Sequence, residues 1–348
     1  MRQKQLWLAD KLSPWADALA PLRGVTGSER LHYRDKACLS ADWQDGRWLL
    51  GLRKRDEIID IPACPVQSHR VNQVARLLRA HLPAKARFPL AYLAQSGAQT
   101  TLVLKTASQP SLDWLTPSLS AEFERTGVEG LWIHLFPSTG KRVFAKNHWY
   151  LVWGRARSED RLGLIHGPAA FSQLLPGLYR QALDQAQAFL APSANDGVID
   201  LYCGHGSTLQ RWRKTGARAL GVEVAAEALK CAERNAPGAD LLRGTCEHRV
   251  PQLRAWRKAA SPVASDQPGR RLLYVNPPRT GLEPGVRTWI IDEDRPHRMA
   301  YLSCSAGTLS RDLQQLCEAG YRVEALTPYD FFPFTHHVET LALLRRIN

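Results

Sequence analysis

Apolar positions along this chain fall into two rhythms. Residues 5–20 have the spacing of a short amphipathic helix and carry Trp7 and Trp15. Strand-length apolar runs follow at 31–39, 48–53 and 58–61, and Asp45-Gly46 between the first two is a hairpin signal. Residues 66–82 predict a helix, because Val71, Val74, Ala75, Leu77, Leu78 and Leu82 gather on one side. Two more strands, 89–94 and 100–105, flank a Ser-Gly turn. Residues 118–126 read as helix, and 131–135 and 148–152 as strands. By pattern, residues 1–165 form an α+β domain.

From residue 166 to 348 the rhythm becomes strand, helix, strand, helix. Apolar runs at 198–201, 219–222, 241–242, 272–275 and 299–302 predict five strands. Helical spacing starts at 209, 225 and 308, and runs at 321–326 and 340–344 predict a closing hairpin around a loop at 329–337. Such alternation implies an α/β domain with a parallel, doubly wound sheet and ligands at the carboxyl ends of its strands.

Length, 348 residues, agrees with two domains. Apolar content of 44% and 23% charged residues are globular values. No apolar run is long enough to span a membrane, and the polar Met1-Arg-Gln-Lys-Gln start lacks a signal-peptide core. Seven scattered cysteines, an odd number with no CxxC pair, point to a reducing cytoplasm. The net charge of +13 points to a polyanion, with nucleic acid the leading partner class. Eight of the 11 tryptophans lie in the first half. Aromatics beside basic residues can stack on unpaired bases, although most of these fit a sheet core equally well. Arg34, Lys36, Arg53, Lys54 and Arg55 are candidate phosphate contacts, each also readable as a solvated charge.

The chemistry gathers at the strand ends of the second half. Cys203-Gly204-His205-Gly206 is a glycine-rich turn after the strand that ends near Asp200, and its glycines permit close backbone approach to a ligand. Glu223 ends the next strand and can accept bonds from both hydroxyls of a ribose. That pair suits a dinucleotide or S-adenosylmethionine. Leu209 stands where the third glycine of a dinucleotide fingerprint would be, which disfavours a nicotinamide. Asn276-Pro-Pro-Arg lacks the aromatic that a methyltransferase of exocyclic amines would use, and Arg279 suits phosphate or base orientation instead. Cys304 lies between an apolar strand and a helix start, where backbone N–H groups favour a thiolate, so it is a candidate nucleophile. Its bland reading is a small core residue. His336 and His337, adjacent on an extended chain, point apart and make a poor metal site. Glu339, just before an apolar run, is a candidate half-buried general base.

Together these pieces resemble the RNA uracil-5-methyltransferase family, whose members make 5-methyluridine in tRNA and 23S rRNA. The matching segments are Asp200-Leu-Tyr-Cys-Gly-His-Gly, Gly221-Val-Glu, Asn276-Pro-Pro-Arg-Thr-Gly-Leu, Ser303-Cys-Ser-Ala-Gly-Thr-Leu and Phe332-Pro-Phe-Thr-His-His-Val-Glu. Phe171-Ser-Gln resembles the segment that opens the family's methyltransferase domain. Tyr33-Arg-Asp-Lys-Ala and Asp60-Ile-Pro-Ala-Cys-Pro-Val-Gln resemble its central RNA-contacting domain. The likeness spans most of residues 30–348. It implies a Rossmann-like class I methyltransferase domain at 166–348, preceded by a smaller α+β RNA-binding domain at 1–165. It also implies Cys304 as the nucleophile that adds to uracil carbon 6 and Glu339 as the base that removes the carbon 5 proton. Gln173, Tyr202, Gly204, Gly206, Glu223 and Asn276 match positions around S-adenosylmethionine. Asn276 stands where most members have aspartate, and Ser207 where asparagine is common.

Of the four cysteines that hold an iron–sulfur cluster in several relatives only Cys64 is matched, and Cys38 does not fit the spacing, so no cluster is expected. Family-like sequence begins near residue 30, which leaves no room for the N-terminal barrel of some relatives. The implied protein is a cytoplasmic monomer that acts on 23S rRNA or tRNA. Methyl transfer to another base atom, and a catalytically degenerate relative that only binds RNA, stay open as alternatives.

Overall fold

The computed structural model describes residues 1–138, 143–145, 147–160, 162–168, 170, 173–259 and 269–347. Two units emerge: Thr26–Leu174, and a second made of Met1–Val25 with Leu175–Asn348.

The chain opens with α1 (Arg2–Lys11) and a 3-10 segment (Ser13–Ala18), so the expected 5–20 helix breaks in two at Pro14. These residues were expected with the first half. They belong with the second unit because Leu8 and Leu12 are fully buried in its core beside Leu309, Leu313 and Leu316.

The main sheet of the Thr26–Leu174 unit has seven described strands: β1 (Lys36–Gln44), β2 (Arg47–Lys54), β3 (Glu57–Asp60), β4 (Leu90–Ser96), β5 (Gln99–Leu104), β6 (Gly130–Leu135) and β7 (Trp149–Gly154). Their order is β3-β2-β1-β4-β5-β6-β7. Every neighbouring pair is antiparallel except β5 and β6. Asp45 and Gly46, with φ of 51° and 77°, make the β1–β2 turn, as their sequence promised. Two helices, α2 (His69–His81) and α3 (Pro117–Arg125), bury Val74, Leu78, Leu119 and Phe123 in one cluster with Leu93, Leu102 and Ile133. Ser68 and Thr116 cap them by accepting from the Val71 and Leu119 amides at 3.3 and 3.2 Å. A small ladder, β8 (Ser158–Glu159) with β9 (Ile165–His166), completes this β-rich unit. The first strand begins at Lys36, not 31, because the Arg34 amide is already paired to the Val66 carbonyl at 2.9 Å.

In the second unit α4 (Pro176–Leu190) leads into β10 (Gly197–Leu201), α5 (Ser207–Lys214), β11 (Arg218–Glu223), α6 (Ala226–Asn235), β12 (Asp240–Arg243) and α7 (Val250–Ala259). Then come β13 (Arg271–Val275), α8 (Pro284–Trp289), β14 (Arg298–Ser303), α9 (Ala306–Glu318), β15 (Tyr321–Tyr329) and β16 (Glu339–Arg346). The sheet order is β12-β11-β10-β13-β14-β16-β15. The first five strands in that order run parallel, and β16 is antiparallel to both β14 and β15. The near-continuous apolar character of β10, β13 and β14 reflects burial on both faces. Chain order reverses between β10 and β13, and loops at the carboxyl ends there flank the crevice where open α/β sheets bind ligands. Among the described residues no helix is long and apolar enough to cross a membrane.

Candidate active site

Two adjacent strand ends bring Cys304 and Glu339 together. The last pair of the β14–β16 ladder is Ser303 with Thr340. Antiparallel register therefore sets Cys304, the next residue after β14, opposite Glu339, the first of β16. Cys304 is part-buried and Glu339 is 4% exposed. Burial pushes the Cys304 thiol up, the Glu339 carboxylate adds to that, and the Arg279 guanidinium opposes it. A main-chain hydrogen bond does lower the thiol pKa, as expected at a helix start, but burial and the neighbouring carboxylate outweigh it.

Arg279 comes from the loop after β13. Its main-chain carbonyl accepts from Thr308 Oγ1 in the first turn of α9 at 3.2 Å, which ties that loop to the helix after Cys304. Its Nη2 lies 3.1 Å from His337 Nε2, and the His336 and His337 ring centroids are 4.0 Å apart. Among the described residues no group of three or more His, Cys, Asp or Glu is arranged to hold a metal.

The glycine turn lies at the end of β10. Tyr202, Gly204 and Gly206 all have left-handed backbone, with φ of 62°, 57° and 83°. A Cβ on Gly206 would meet Ala232 Cα at 2.9 Å, so this glycine is required by the approach of α6. A Cβ on Gly204 would meet nothing within 4 Å, which leaves the main chain there open to a ligand. Glu223 Oε2 accepts from the Gly204 amide at 3.1 Å, and its Oε1 from the Ala225 amide at 2.8 Å. The carboxylate is thus fixed in place and keeps lone pairs for two hydroxyl donors. The Asn276 amide donates to the Leu201 carbonyl at 3.3 Å, which joins the ends of β10 and β13. An open glycine cradle beside an oriented carboxylate fits the methionyl and ribose parts of S-adenosylmethionine.

Sequence reasoning missed a buried polar set beneath this turn. Asp200 is fully buried, and Trp212 Nε1 donates to its Oδ2 at 2.8 Å. Burial pushes its carboxyl up to about 7, against hydrogen bonds from Thr208 and Trp212. Burial raises the pKa of Tyr179 and Tyr274, and both also feel the charges of Asp200 and Glu339. Both tyrosines are thus within electrostatic reach of Asp200 and of Glu339. A tyrosine inside the apolar run before Asn276 was the available signal.

The other expected residues belong to the Thr26–Leu174 unit. Gln173 is part-buried and penultimate in it, while Phe171 and Ser172 lie outside the described residues. Arg34 Nε donates to the Lys36 carbonyl at 3.3 Å. Lys36 Nζ donates to the Ala170 carbonyl at 3.1 Å, and burial lowers its pKa to about 8. It is thus no solvated surface lysine. Cys38 and Cys64 are free thiols.

A sheet of this order, with a glycine cradle, a strand-end acid and a cysteine at its carboxyl edge, has the architecture of a class I S-adenosylmethionine-dependent methyltransferase. The chain belongs to the tRNA (Uracil-5-)-methyltransferase family, whose profile matches residues 168–347. Relatives extend the similarity into the first half. A Klebsiella pneumoniae 23S rRNA (uracil(1939)-C(5))-methyltransferase is 28% identical over 325 residues, covering 90% of this chain and 70% of its own. An uncharacterized RNA methyltransferase of Bacillus cereus is 27% identical over 341 residues, covering 91% of this chain and 71% of its own. In three dimensions the chain is similar to the Pyrococcus abyssi tRNA (uracil-54, C5)-methyltransferase solved with S-adenosyl-L-homocysteine. The TM-score is 0.70 at 19% identity, covering 99% of this chain and 82% of the other. The chain is an S-adenosylmethionine-dependent enzyme of the RNA uracil-5-methyltransferase family.

Proposed function

We propose that this enzyme methylates carbon 5 of a uridine in 23S rRNA or tRNA, with Cys304 as nucleophile and Glu339 as base. The observation that carries this reading is the pairing of Cys304 with Glu339 at neighbouring strand ends, beside Arg279.

Carbon 5 of uracil is a weak nucleophile. Addition of the Cys304 thiolate to carbon 6 places negative charge on the ring and makes carbon 5 reactive. Bound S-adenosylmethionine supplies the electrophilic methyl group. Gly204, Gly206, Glu223, Tyr202 and Asn276 would hold it. Glu339 then takes the proton from carbon 5, the ring regains its double bond, and the carbon–sulfur bond to Cys304 breaks. Arg279 offsets the charge that Glu339 imposes on the thiolate. A base within helical RNA must leave its stack to reach Cys304.

Incubation with unmodified rRNA or tRNA and labelled S-adenosylmethionine should yield 5-methyluridine, read by mass spectrometry of nucleosides. Cys304→Ala should abolish the product. Glu339→Gln should lower turnover by about 10²- to 10⁴-fold, the usual contribution of a general base. It should also leave a protein–RNA adduct that survives denaturation, because the sulfur cannot depart until the proton does. Product at the normal rate from Cys304→Ala would rule out the thiolate route and favour methylation of another atom. Failure of the intact protein to bind S-adenosylhomocysteine would favour a binding-only relative.

A further inference from the structure

The edge of the second-unit sheet opposite the active site gathers arginines that catalysis does not use. β13 starts at Arg271 and β14 at Arg298, while β16 runs the other way and ends at Arg346. Register pairs Arg298 with Arg345. Topology thus converges four guanidiniums on one cavity of about 270 Å³, lined by Arg270, His297, Arg298, Arg345, Arg346 and Ile347.

Two of the four are matched by carboxylates. Arg270 pairs with Asp196 at 2.7 Å, and Arg345 with Glu324 at 2.5 Å. The other two donate to neutral main-chain carbonyls: Arg298 to Phe189 at 2.6 Å and Arg346 to Arg295 at 2.7 Å. Of the four guanidiniums that line the cavity, Arg298 and Arg346 have no carboxylate partner within 4.0 Å among the described residues. The Arg298 and Arg345 guanidiniums also share one phenyl ring, each 5.7 Å from the Phe189 centroid. His297 Nδ1 accepts from the Arg271 amide at 3.1 Å, so in the neutral ring Nε2 carries the proton and is a donor. Burial, opposed by the hydrogen bond with the Arg271 main chain and aided by the charges of Arg346, Arg271 and Arg270, holds that ring below its ordinary pKa. Burial, Arg345 and Arg270 likewise depress Arg298, partly offset by Glu324 and Asp196. Crowded like charges are costly for a merely structural cluster, and planar donor forks match phosphate oxygens.

From this juxtaposition we infer that the cavity between the amino ends of β13 and β14 and the end of β16 is a second RNA site, which grips backbone phosphate through Arg298 and Arg346. The lining is guanidiniums, one imidazole and Ile347, with no carboxylate or amide side chain among them, a donor set that suits backbone-positioning contacts to phosphate. The six residues of β14 separate it from Cys304 by roughly 20 Å, at about 3.3 Å per residue. It therefore engages a different segment of a large substrate from the one that holds the target base. The inference rests on the RNA-methyltransferase reading above.

The test is equilibrium binding of fluorescent poly(U) across a potassium chloride series. Arg298→Gln/Arg346→Gln should reduce the slope of log affinity against log salt by about 1.4, or about 0.7 for each lost phosphate contact on a single strand. Arg346→Gln alone should give about half that change. Arg254→Gln/Lys258→Gln, a charge-matched pair on α7, should leave the slope unchanged. Calorimetry with S-adenosylhomocysteine checks that each variant is folded. An unchanged slope in a folded double variant overturns the site, as does an equal fall in the α7 control. A melting temperature raised by inorganic pyrophosphate in wild type but not in the double variant, with an unchanged poly(U) slope, would assign the cavity to a free phosphate compound and overturn the RNA assignment. Since 5-methyluridine formation and its dependence on Cys304 are measured separately, failure here leaves that reading standing.

Discussion

The reactivity of Cys304 is governed by its burial and by the charges packed against it. The groups that set its thiol, Glu339 and Arg279, lie 35 residues after it and 25 before it in sequence, and only the β14–β16 register and the loop after β13 bring them close. The consequence can be measured. Burial and Glu339 raise the thiol pKa, so less thiolate is present at neutral pH than in an exposed cysteine. Glu339→Gln removes a negative neighbour and should move the midpoint of the iodoacetamide rate–pH profile of Cys304 to lower pH. Arg279→Gln removes a positive neighbour and should move it to higher pH. Shifts of the same sign in both variants would show that burial alone governs the thiol. Lys36 teaches the same lesson in reverse: it reads as a surface lysine, yet its ammonium is turned onto the Ala170 carbonyl.

Most strands were legible because each buried run is apolar and bounded by turn residues. Helices were less so, and α4, α7 and α8 were not anticipated. The β15–β16 hairpin was anticipated, but not that β16 would be the strand beside β14, which depends on nonlocal pairing. The glycine turn was legible as a motif, but its two glycines serve different ends. Gly206 has α6 packed against it, with Ala232 Cα 2.9 Å from a notional Cβ. Gly206→Ala should therefore cost about 1–2 kcal/mol for the left-handed backbone, and more for the clash with α6, lowering the melting temperature and weakening cofactor binding together. Gly204 faces open space, so Gly204→Ala pays only the backbone term, about 1–2 kcal/mol. If the cofactor packs against that main chain, Gly204→Ala should weaken S-adenosylhomocysteine binding tenfold or more with the smaller loss of stability. Equal effects of the two substitutions on both quantities would contradict this division of labour.

At the scale of the whole molecule, the first 25 residues act as part of a unit that otherwise starts at Leu175. Residues 19–23 run along the outer edge of β15: the Ala20 and Arg23 amides donate to the Leu326 and Pro328 carbonyls at 2.8 and 2.9 Å, and the Asp330 amide donates to the Arg23 carbonyl at 2.7 Å. This pairs an edge that would otherwise present free backbone groups. Lys4 extends the link towards the site. Its ammonium reaches Asp330 Oδ1 at 2.6 Å, the His337 carbonyl at 3.0 Å and the Phe332 carbonyl at 3.1 Å, gathering the loop that delivers Glu339. Both charged side chains are largely buried, at 11% and 5% exposure, so removal of one strands the other. Nothing local could reveal this, since Lys4 is one cation in a polar start and its partner lies 326 positions away. Lys4→Met should destabilise the second unit by about 3 kcal/mol, the lower end for breaking a buried pair. It should also slow methyl transfer while S-adenosylhomocysteine affinity stays within about twofold, because the glycine turn and Glu223 do not depend on that loop. Lys4→Met/Asp330→Asn should recover part of the stability, since neither charge is then left alone, but not the rate, since the two carbonyls still lack their donor. Recovery of full rate in the double variant would show that Lys4 serves stability only.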